Sequence, residues 1–155
     1  NTPWSAVSAT GSTWTAQQIS GSTFNPRVVT WSSYHNLFVT VGAITGGLGY
    51  MTSADGVTWS APAAITGSTG AMSILSLAVN SAGVFVGVGQ IQGASTTPIY
   101  MTSTNGTDWC VPTSFNGSTG VGFMRGIVYS PGYGGKFVAV GTDNSGPNWL
   151  YAVES

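Results

Sequence analysis

Few side chains in this 155-residue sequence could do acid–base, nucleophilic or metal chemistry: there are four acids, three cations, one histidine and one cysteine. Glycoside hydrolysis needs two carboxyl groups at a defined separation. A Ser/His/Asp triad or a multi-histidine metal site needs histidines with local support. His35 stands in a turn-like polar segment, and two of the acids, Asp55 and Asp108, lie in a repeated turn. The sequence therefore predicts a protein that is not an enzyme, with no metal and no cofactor.

The charge balance also limits the partners. Charged residues make up 5% of the chain, and the net charge is −1. Nucleic acid or an anionic membrane surface would need clustered cations, which three scattered ones do not supply. No apolar run reaches the roughly 18–20 residues of a spanning helix. We expect no nucleic acid partner and no membrane insertion.

The hydrophobic content of 42% nevertheless allows a packed core. The single cysteine excludes an intrachain disulfide, so stability must come from packing. Cys110 follows a tryptophan at the start of a predicted strand. We expect it to be a small buried thiol rather than a reactive one.

The strongest signal is a turn that recurs along the chain. A Ser-x-Asx-Gly-x-x-Trp frame occurs at 53–59 and 103–109, and a fainter copy occurs at 8–14. Glycine suits the positive φ of a tight turn, and the side chains of Asp55 and Asn105 can accept hydrogen bonds from amides two residues on. The tryptophans close each copy at intervals of 45 and 50 residues, the spacing of propeller blades: Trp14, Trp59 and Trp109.

Short alternating runs between the turns predict an all-β fold. Each repeat contains an inner strand, two middle strands and an outer strand that begins at the tryptophan. The inner strands are predicted at 27–32, 74–80 and 125–130, with large residues on one face and small residues on the other. The second strands are predicted at 37–42, 84–89 and 136–141, the third at 49–53, 99–103 and 149–155, and the first outer strand at 13–19.

This inventory predicts a β-propeller with three four-stranded blades per chain. The blade repeats cover about 13–58, 59–108 and 109–155, so residues 1–155 form one half-propeller. Propellers contain about four to eight blades, which three blades do not reach. We therefore expect a homodimer that closes a six-bladed ring, in which the strand at 13–19 completes the third blade of the partner. Residues 1–8 look like a competing third strand and are expected to be displaced, frayed or packed outside.

The turn frame resembles the Asp-box, or BNR, repeat of sialidase-type propellers. It lacks one residue before the glycine, and Asn105, Asp108 and Thr10 depart from the usual pattern. In that family the box is a structural turn, so the resemblance implies a folding role for Asp55, Asn105, Trp14, Trp59 and Trp109. A sialidase-like site would resemble three arginines, a Tyr–Glu pair and an acid/base Asp. This chain has two arginines and one glutamate, so the resemblance implies sialidase-type blades without the catalytic residues.

Two features could bind a ligand. Arg27 and Arg125 occupy equivalent places in inner strands, each with an aromatic residue four positions on, and an arginine can donate two parallel hydrogen bonds. Alternatively these arginines tie blade to blade through backbone carbonyls. A Gly-Ser-Thr loop precedes each inner strand and suits sugar hydroxyls, although it could also be a good turn kept by duplication. The candidate residues are Arg27, Trp31, Arg125, Tyr129, Ser68, Thr69, Ser118 and Thr119.

These features favour a non-catalytic, lectin-like module that binds glycans at repeated sites. A structural or host-attachment protein of a virus particle or cell surface, with no small-molecule ligand, is the second hypothesis. A protein–protein scaffold or an enzyme is the third. The compartment stays open, although repeats rich in serine, threonine and glycine favour an extracellular or virion surface.

Overall fold

The computed structural model describes residues 2–19, 23–93, 96–115, 122–132, 134–143 and 150–154. All secondary-structure elements within those ranges are β-strands, and all strand pairs are antiparallel. The thirteen strands are β1 Trp4–Val7, β2 Thr15–Gln18, β3 Asn25–Ser32, β4 Leu37–Ile44, β5 Gly47–Ser53, β6 Ala63–Ala64, β7 Met72–Val79, β8 Phe85–Ile91, β9 Thr97–Ser103, β10 Thr113–Ser114, β11 Gly122–Ser130, β12 Lys136–Asp143 and β13 Leu150–Glu154.

The strands form four sheets. The first sheet has the order β3-β4-β5-β6, the second β7-β8-β9-β10, and the third β11-β12-β13, while β1 and β2 form a separate hairpin. The described strands thus contain two four-stranded sheets, a three-stranded sheet and a two-stranded one, where the sequence predicts three four-stranded blades. Inner strand β7 lies between β3 and β11, so the three larger sheets stand side by side in chain order.

The outer strands β6 and β10 are much shorter than the prediction, which started them at Trp59 and Trp109. Each has only two residues and begins directly after a proline, Pro62 or Pro112. Proline has no amide hydrogen to donate to the sheet, so the regular ladder cannot extend through it. The N-terminal copy has Gln17 at this position, and there β2 is continuous from Thr15 to Gln18.

Residues 1–8 are predicted to be displaced, frayed or packed outside in a closed ring; in the single chain, residues 4–7 are not frayed. Residues 4–7 form strand β1, which pairs with β2 from Trp4 opposite Gln18 to Val7 opposite Thr15. The amide of Ile19 also donates to the carbonyl of Pro3 at 2.9 Å. A hairpin closed by a short turn loses little loop-closure entropy, so the local pairing forms readily.

The repeated turn has the same hydrogen bonds in each complete copy. In the first sheet the amides of Val57 and Thr58 donate to Asp55 Oδ1 at 2.8 and 2.7 Å. In the second, the amides of Thr107 and Asp108 donate to Asn105 Oδ1 at 2.9 and 2.8 Å. These bonds, with the amide of Thr58 contributing most, lower the pKa of Asp55 from 3.8 to about 2. The turn is therefore built by an acceptor oxygen that an aspartate or an asparagine supplies.

Each turn also binds its own tryptophan. The indole nitrogens of Trp14, Trp59 and Trp109 donate to the carbonyl three residues earlier at 3.0, 3.2 and 3.1 Å. That carbonyl belongs in each case to a glycine with φ between 74° and 80°. The faint N-terminal copy at 8–14 therefore folds like the other two, which supports a structural role for this motif.

The core lies between adjacent sheets, where large residues of one face meet small residues of the next. One core cluster joins Val39 and Val41 of the first sheet to Leu77, Phe85 and others of the second. A second, smaller cluster joins Val88 to Met124 and Ala139 of the third sheet. At the first interface Val28 of β3 packs with Leu77 and Val79 of β7, and at the second Ile127 of β11 packs with Val86 and Val88 of β8. At both interfaces, the face of the inner strand that carries large residues packs on the preceding sheet's face with small inner-strand residues.

Candidate functional site

A β-bulge interrupts each inner strand at the same place. The register shifts between Pro26 and Val28, between Ile74 and Ser76, and between Met124 and Gly126. The additional residue is Arg27 in the first sheet, Leu75 in the second and Arg125 in the third. A bulge re-aims the side chain of its additional residue. Both arginines are exposed, so the fold presents two guanidinium groups at equivalent positions.

A glycine faces each bulge from the second strand. A Cβ atom at Gly42, Gly89 or Gly141 would collide with the backbone carbonyl oxygen of Asn25, Ser73 or Phe123, respectively. Only glycine permits this close approach. None of these three glycines was predicted from the sequence. The signal was the Val-Gly pair at the end of each predicted second strand, at 41–42, 88–89 and 140–141.

The two arginines have different surroundings. The Arg125 guanidinium carbon lies 4.2 Å from the centre of the Phe123 ring, a cation–π contact that orients the side chain. Arg27 lines a cleft of about 560 Å³ between the β1–β2 hairpin and the first sheet, together with Val29 and Phe38. Two exposed cations thus lie near the start of inner strands, each beside apolar surface.

The structure does not place Trp31 and Tyr129 beside these arginines. Strand β3 is extended, so Trp31 lies about 13 Å from Arg27 at a rise of about 3.3 Å per residue. The ring of Trp31 packs on Phe38 at 4.5 Å between centroids, and that of Tyr129 packs on Phe137 at 5.0 Å. Both aromatic residues therefore belong to the opposite end of their strands.

The Gly-Ser-Thr loop is described in the second repeat. The Ser68 hydroxyl accepts a hydrogen bond from the Leu48 amide at 2.9 Å and donates to the Ile65 carbonyl at 2.7 Å. The Ser68 hydroxyl therefore fixes the loop to β5. At this position the loop serves as a turn, which was the alternative to sugar binding. Thr69 is exposed and stays a candidate. Ser118 and Thr119 lie outside the described residues.

His35 and Cys110 are the single histidine and the single cysteine of the sequence. The Nε2 atom of His35 lies 3.2 Å from the Gly83 carbonyl and 3.1 Å from that of Thr104, so it links the first sheet to the second. The prediction that Cys110 is buried is wrong: the side chain is exposed. Trp109 turns inward against Phe85, at 6.2 Å between ring centroids, and the next residue of an extended segment points outward.

Within the described ranges there is no group of three or more histidine, cysteine, aspartate or glutamate side chains that could hold a metal ion. The same part of the chain contains no helix long and apolar enough to cross a membrane. The side chains of Asp55 and Asp108 belong to the repeated turns, which adjoin the opposite end of the sheets from the bulges.

The fold is that of a sialidase-like β-propeller. The chain is similar to a point mutant of NanB sialidase from Streptococcus pneumoniae, with a TM-score of 0.69 and 19% sequence identity. A structure of NanB together with Optactamide gives the same values. The match covers 96% of this chain and 25% of each NanB chain, so the chain spans about a quarter of the length of these proteins. No protein-family model and no curated protein matches the sequence.

Proposed function

We propose that this chain is a non-catalytic propeller module that binds carbohydrate, in the manner of a lectin. The observation that supports this most directly is the pair of bulge arginines, Arg27 and Arg125, exposed at the same place in two sheets. A guanidinium group donates paired hydrogen bonds to a carboxylate or to neighbouring oxygens. The favoured ligand is therefore a sugar that carries a carboxylate.

The surroundings of the arginines favour binding over cleavage. The loop that holds Thr69 precedes an inner strand and so adjoins the end of the sheets at which the bulges lie. Hydrolysis would need a pair of carboxyl groups at the bond to be cleaved. Asp55 and Asp108 are held in the turns by hydrogen bonds at the other end of the sheets. Among the acids in the described strands, Asp143, opposite Gly122, is the one placed at the bulge end.

We further propose that the working form is a six-bladed ring made of two copies of the chain. The large face of the first sheet and the small face of the third are both exposed, as shown by Val29, Trp31, Val128 and Val140. Apolar faces of this kind are sites of association. A ring made of two copies would carry four bulge arginines around one end of its channel.

A glycan array followed by titration calorimetry with glucuronic acid tests the binding function. We expect the wild-type chain to bind, and Arg27→Ala and Arg125→Ala each to weaken binding at least tenfold. Leu75→Ala is the matched control, because it changes the equivalent bulge residue without removing a guanidinium group. Unchanged affinity in both arginine variants would exclude this site.

The second candidate function is a structural or attachment protein without a small-molecule ligand. The exposed apolar faces of the first and third sheets favour it, because they suit assembly whether or not a ligand binds. An array without signal, measured on protein whose ring is intact by light scattering, would favour this function over the first.

A further inference from the structure

We infer that the ligand site is composite: Arg27 of one copy and Arg125 of a second copy meet where the large face of the first sheet packs on the small face of the second copy's third sheet. This inference rests on the proposed carbohydrate-binding function. Within one chain the two arginines are separated by the second sheet, which has Leu75 at its bulge. Across the junction their sheets become neighbours.

The large face of the first sheet lacks the cover that its equivalent has. Val29 of the first sheet and Leu77 of the second hold equivalent positions. Val29 lies opposite Thr40 of β4, and Leu77 lies opposite Gly87 of β8. Leu77 is 9% exposed because the first sheet covers it, whereas Val29 is 60% exposed. The small face of the third sheet of a second copy would cover Val29 in the way that the small face of the first sheet covers Leu77.

The small face of the third sheet lacks cover in the same way. Val41, Val88 and Val140 hold equivalent places in β4, β8 and β12. Their exposed fractions are 0%, 1% and 42%, so only the last is open. The interface between sheets occurs twice inside the chain, and the two open faces are its two unpaired halves. The occupant that fits both is a second copy, joined head to tail.

The β1–β2 hairpin shows which blade the junction completes. Ser8 begins the N-terminal turn as Ser103 begins the second-repeat turn, so Trp4 corresponds to Ile99. Ile99 is completely buried, whereas Trp4 is 62% exposed. A Cβ atom at Gly56 would lie 3.2 Å from Val7 of the hairpin, while one at Gly106 would lie 2.8 Å from Val39. The hairpin therefore partly covers the first sheet where a preceding blade would lie.

Strand direction fixes how the hairpin joins that blade. By the same alignment, β1 and β13 both correspond to the third strand of a blade, so a β1–β13 pair would be parallel. Pairing of β1 with β12 of the second copy is antiparallel and gives the strand order of the two complete sheets. In the ring, β1 therefore takes the place on β12 that β13 has in the single chain. Trp4 then faces the core beside the partner's second sheet.

The junction brings the two arginines within reach of one ligand. Adjacent packed sheets lie about 10 Å apart. Arg27 lines the cleft over the large face of the first sheet, beside Val29. Arg125 lies against Phe123, which pairs with Thr142 on the same side of β12 as Val140, the side of the open face. Each ring then has two composite sites, and each site contains two guanidinium groups, one from each copy. The array of four arginines thus acts as two pairs, which bind a carboxylate sugar between neighbouring blades.

Subunit complementation tests the composite site. Chains with Arg27→Ala and with Arg125→Ala are co-expressed with different tags, and the mixed ring is purified through both tags. A composite site leaves one intact pair in the mixed ring, so glucuronic acid binds with wild-type affinity at half the wild-type stoichiometry. A mixed ring that binds no better than either variant ring would overturn the composite arrangement.

The junction itself is tested by mass, without a ligand. Val29→Lys and Val140→Asp each place a charge on one open face, and both are expected to give a 15.8 kDa monomer by light scattering. Mixed together, they form a dimer, because one junction then pairs lysine with aspartate and the other is wild type. Val111→Asp is the control, since Val111 is 55% exposed just before β10 of the second sheet and belongs to neither open face.

The two tests separate the possible failures. A dimer that binds no sugar contradicts the proposed function and leaves the junction supported. A monomeric wild-type chain, or single-charge variants that stay dimeric, would overturn the junction whatever the chain binds. Circular dichroism checks that each variant keeps its strands.

Discussion

Asp55 shows how little chemistry the repeated turn contains. Its carboxylate accepts hydrogen bonds from the amides of Thr58 and Val57, and the Ser53 hydroxyl donates to it at 2.9 Å. Asn105 makes the same two amide contacts in the second repeat without a negative charge. The charge of Asp55 is therefore dispensable for the turn geometry, and what matters is a fixed acceptor oxygen.

The charge of Asp55 nevertheless makes the stability of the turn at 53–59 depend on pH. The pKa of Asp55 is about 2 in the folded chain, below its ordinary value of 3.8. A lowered pKa stabilises the folded state when the group is ionised, so this contribution is present above about pH 4 and is lost as the pH falls towards 2. We expect the melting temperature of Asp55→Asn to fall less over that interval than that of the wild type.

Asp55→Ala is the comparison at neutral pH. It removes the acceptor oxygen, so we expect a melting temperature several degrees below that of Asp55→Asn. Equal melting temperatures for the alanine and asparagine variants would show that the amide contacts contribute nothing to stability. Thermal melts followed by circular dichroism from pH 2 to pH 7 give both comparisons.

At the scale of the element, the bulge and its facing glycine act as one unit. Gly42 adjoins the Arg27 bulge so closely that a Cβ atom would overlap the Asn25 carbonyl. The carbonyl is backbone and cannot rotate away, so the strand must shift and the bulge is lost. Arg27 would then take the direction that a regular strand gives it. The glycine therefore fixes the direction of the arginine through the backbone alone.

Gly42→Ala is therefore expected to lower both stability and binding. We expect a loss of at least about 2 kcal/mol in the free energy of unfolding, a value within the range for backbone clashes, and a tenfold weaker binding of glucuronic acid. Gly87→Ala is the matched control, because its nearest neighbours are the flexible Met101 and the side chain of Ile74 at 3.2 and 3.3 Å. Equal effects of the two substitutions would contradict a special role for the bulge glycine.

The elements differ in how far the sequence predicts them. The first three strands of each repeat agree with the structure to within three residues at either end, because alternation and turn residues are local signals. The outer strands are shorter because Pro62 and Pro112 interrupt the ladder. Strand β1 differs from the expected frayed segment because it pairs with β2, the next strand in the sequence. The bulges are invisible to alternation, since a register shift depends on two strands at once.

The candidate site was predictable in part for the same reason. Equivalent positions in the repeats single out Arg27 and Arg125, and the structure places both at bulges. The aromatic partners could not be assigned from spacing, because Trp31 is four residues away along an extended strand rather than beside the arginine. Ser68 was ambiguous until its hydrogen bonds to β5 and Ile65 were known.

At the scale of the whole molecule, the open faces would couple stability to the proposed assembly. Val29, Val128 and Val140 are exposed on faces whose equivalents in the second sheet are buried. A chain of 155 residues with few charges has little polar surface to offset such faces. In the proposed dimer, association would bury these faces and stabilise the folded state by mass action, because the partner would bind only folded chains.

The wild-type melting temperature is therefore expected to rise with protein concentration. For a dimer that unfolds to two separate chains, a hundredfold increase in concentration favours the folded state by about 2.7 kcal/mol per dimer. The Val140→Asp variant, which is expected to stay monomeric, should melt at one temperature across the same range. Scanning calorimetry from micromolar to submillimolar protein measures both. A concentration-independent melt of the wild type, together with a monomeric mass, would mean that the open faces stay exposed and that the chain functions as a single unit.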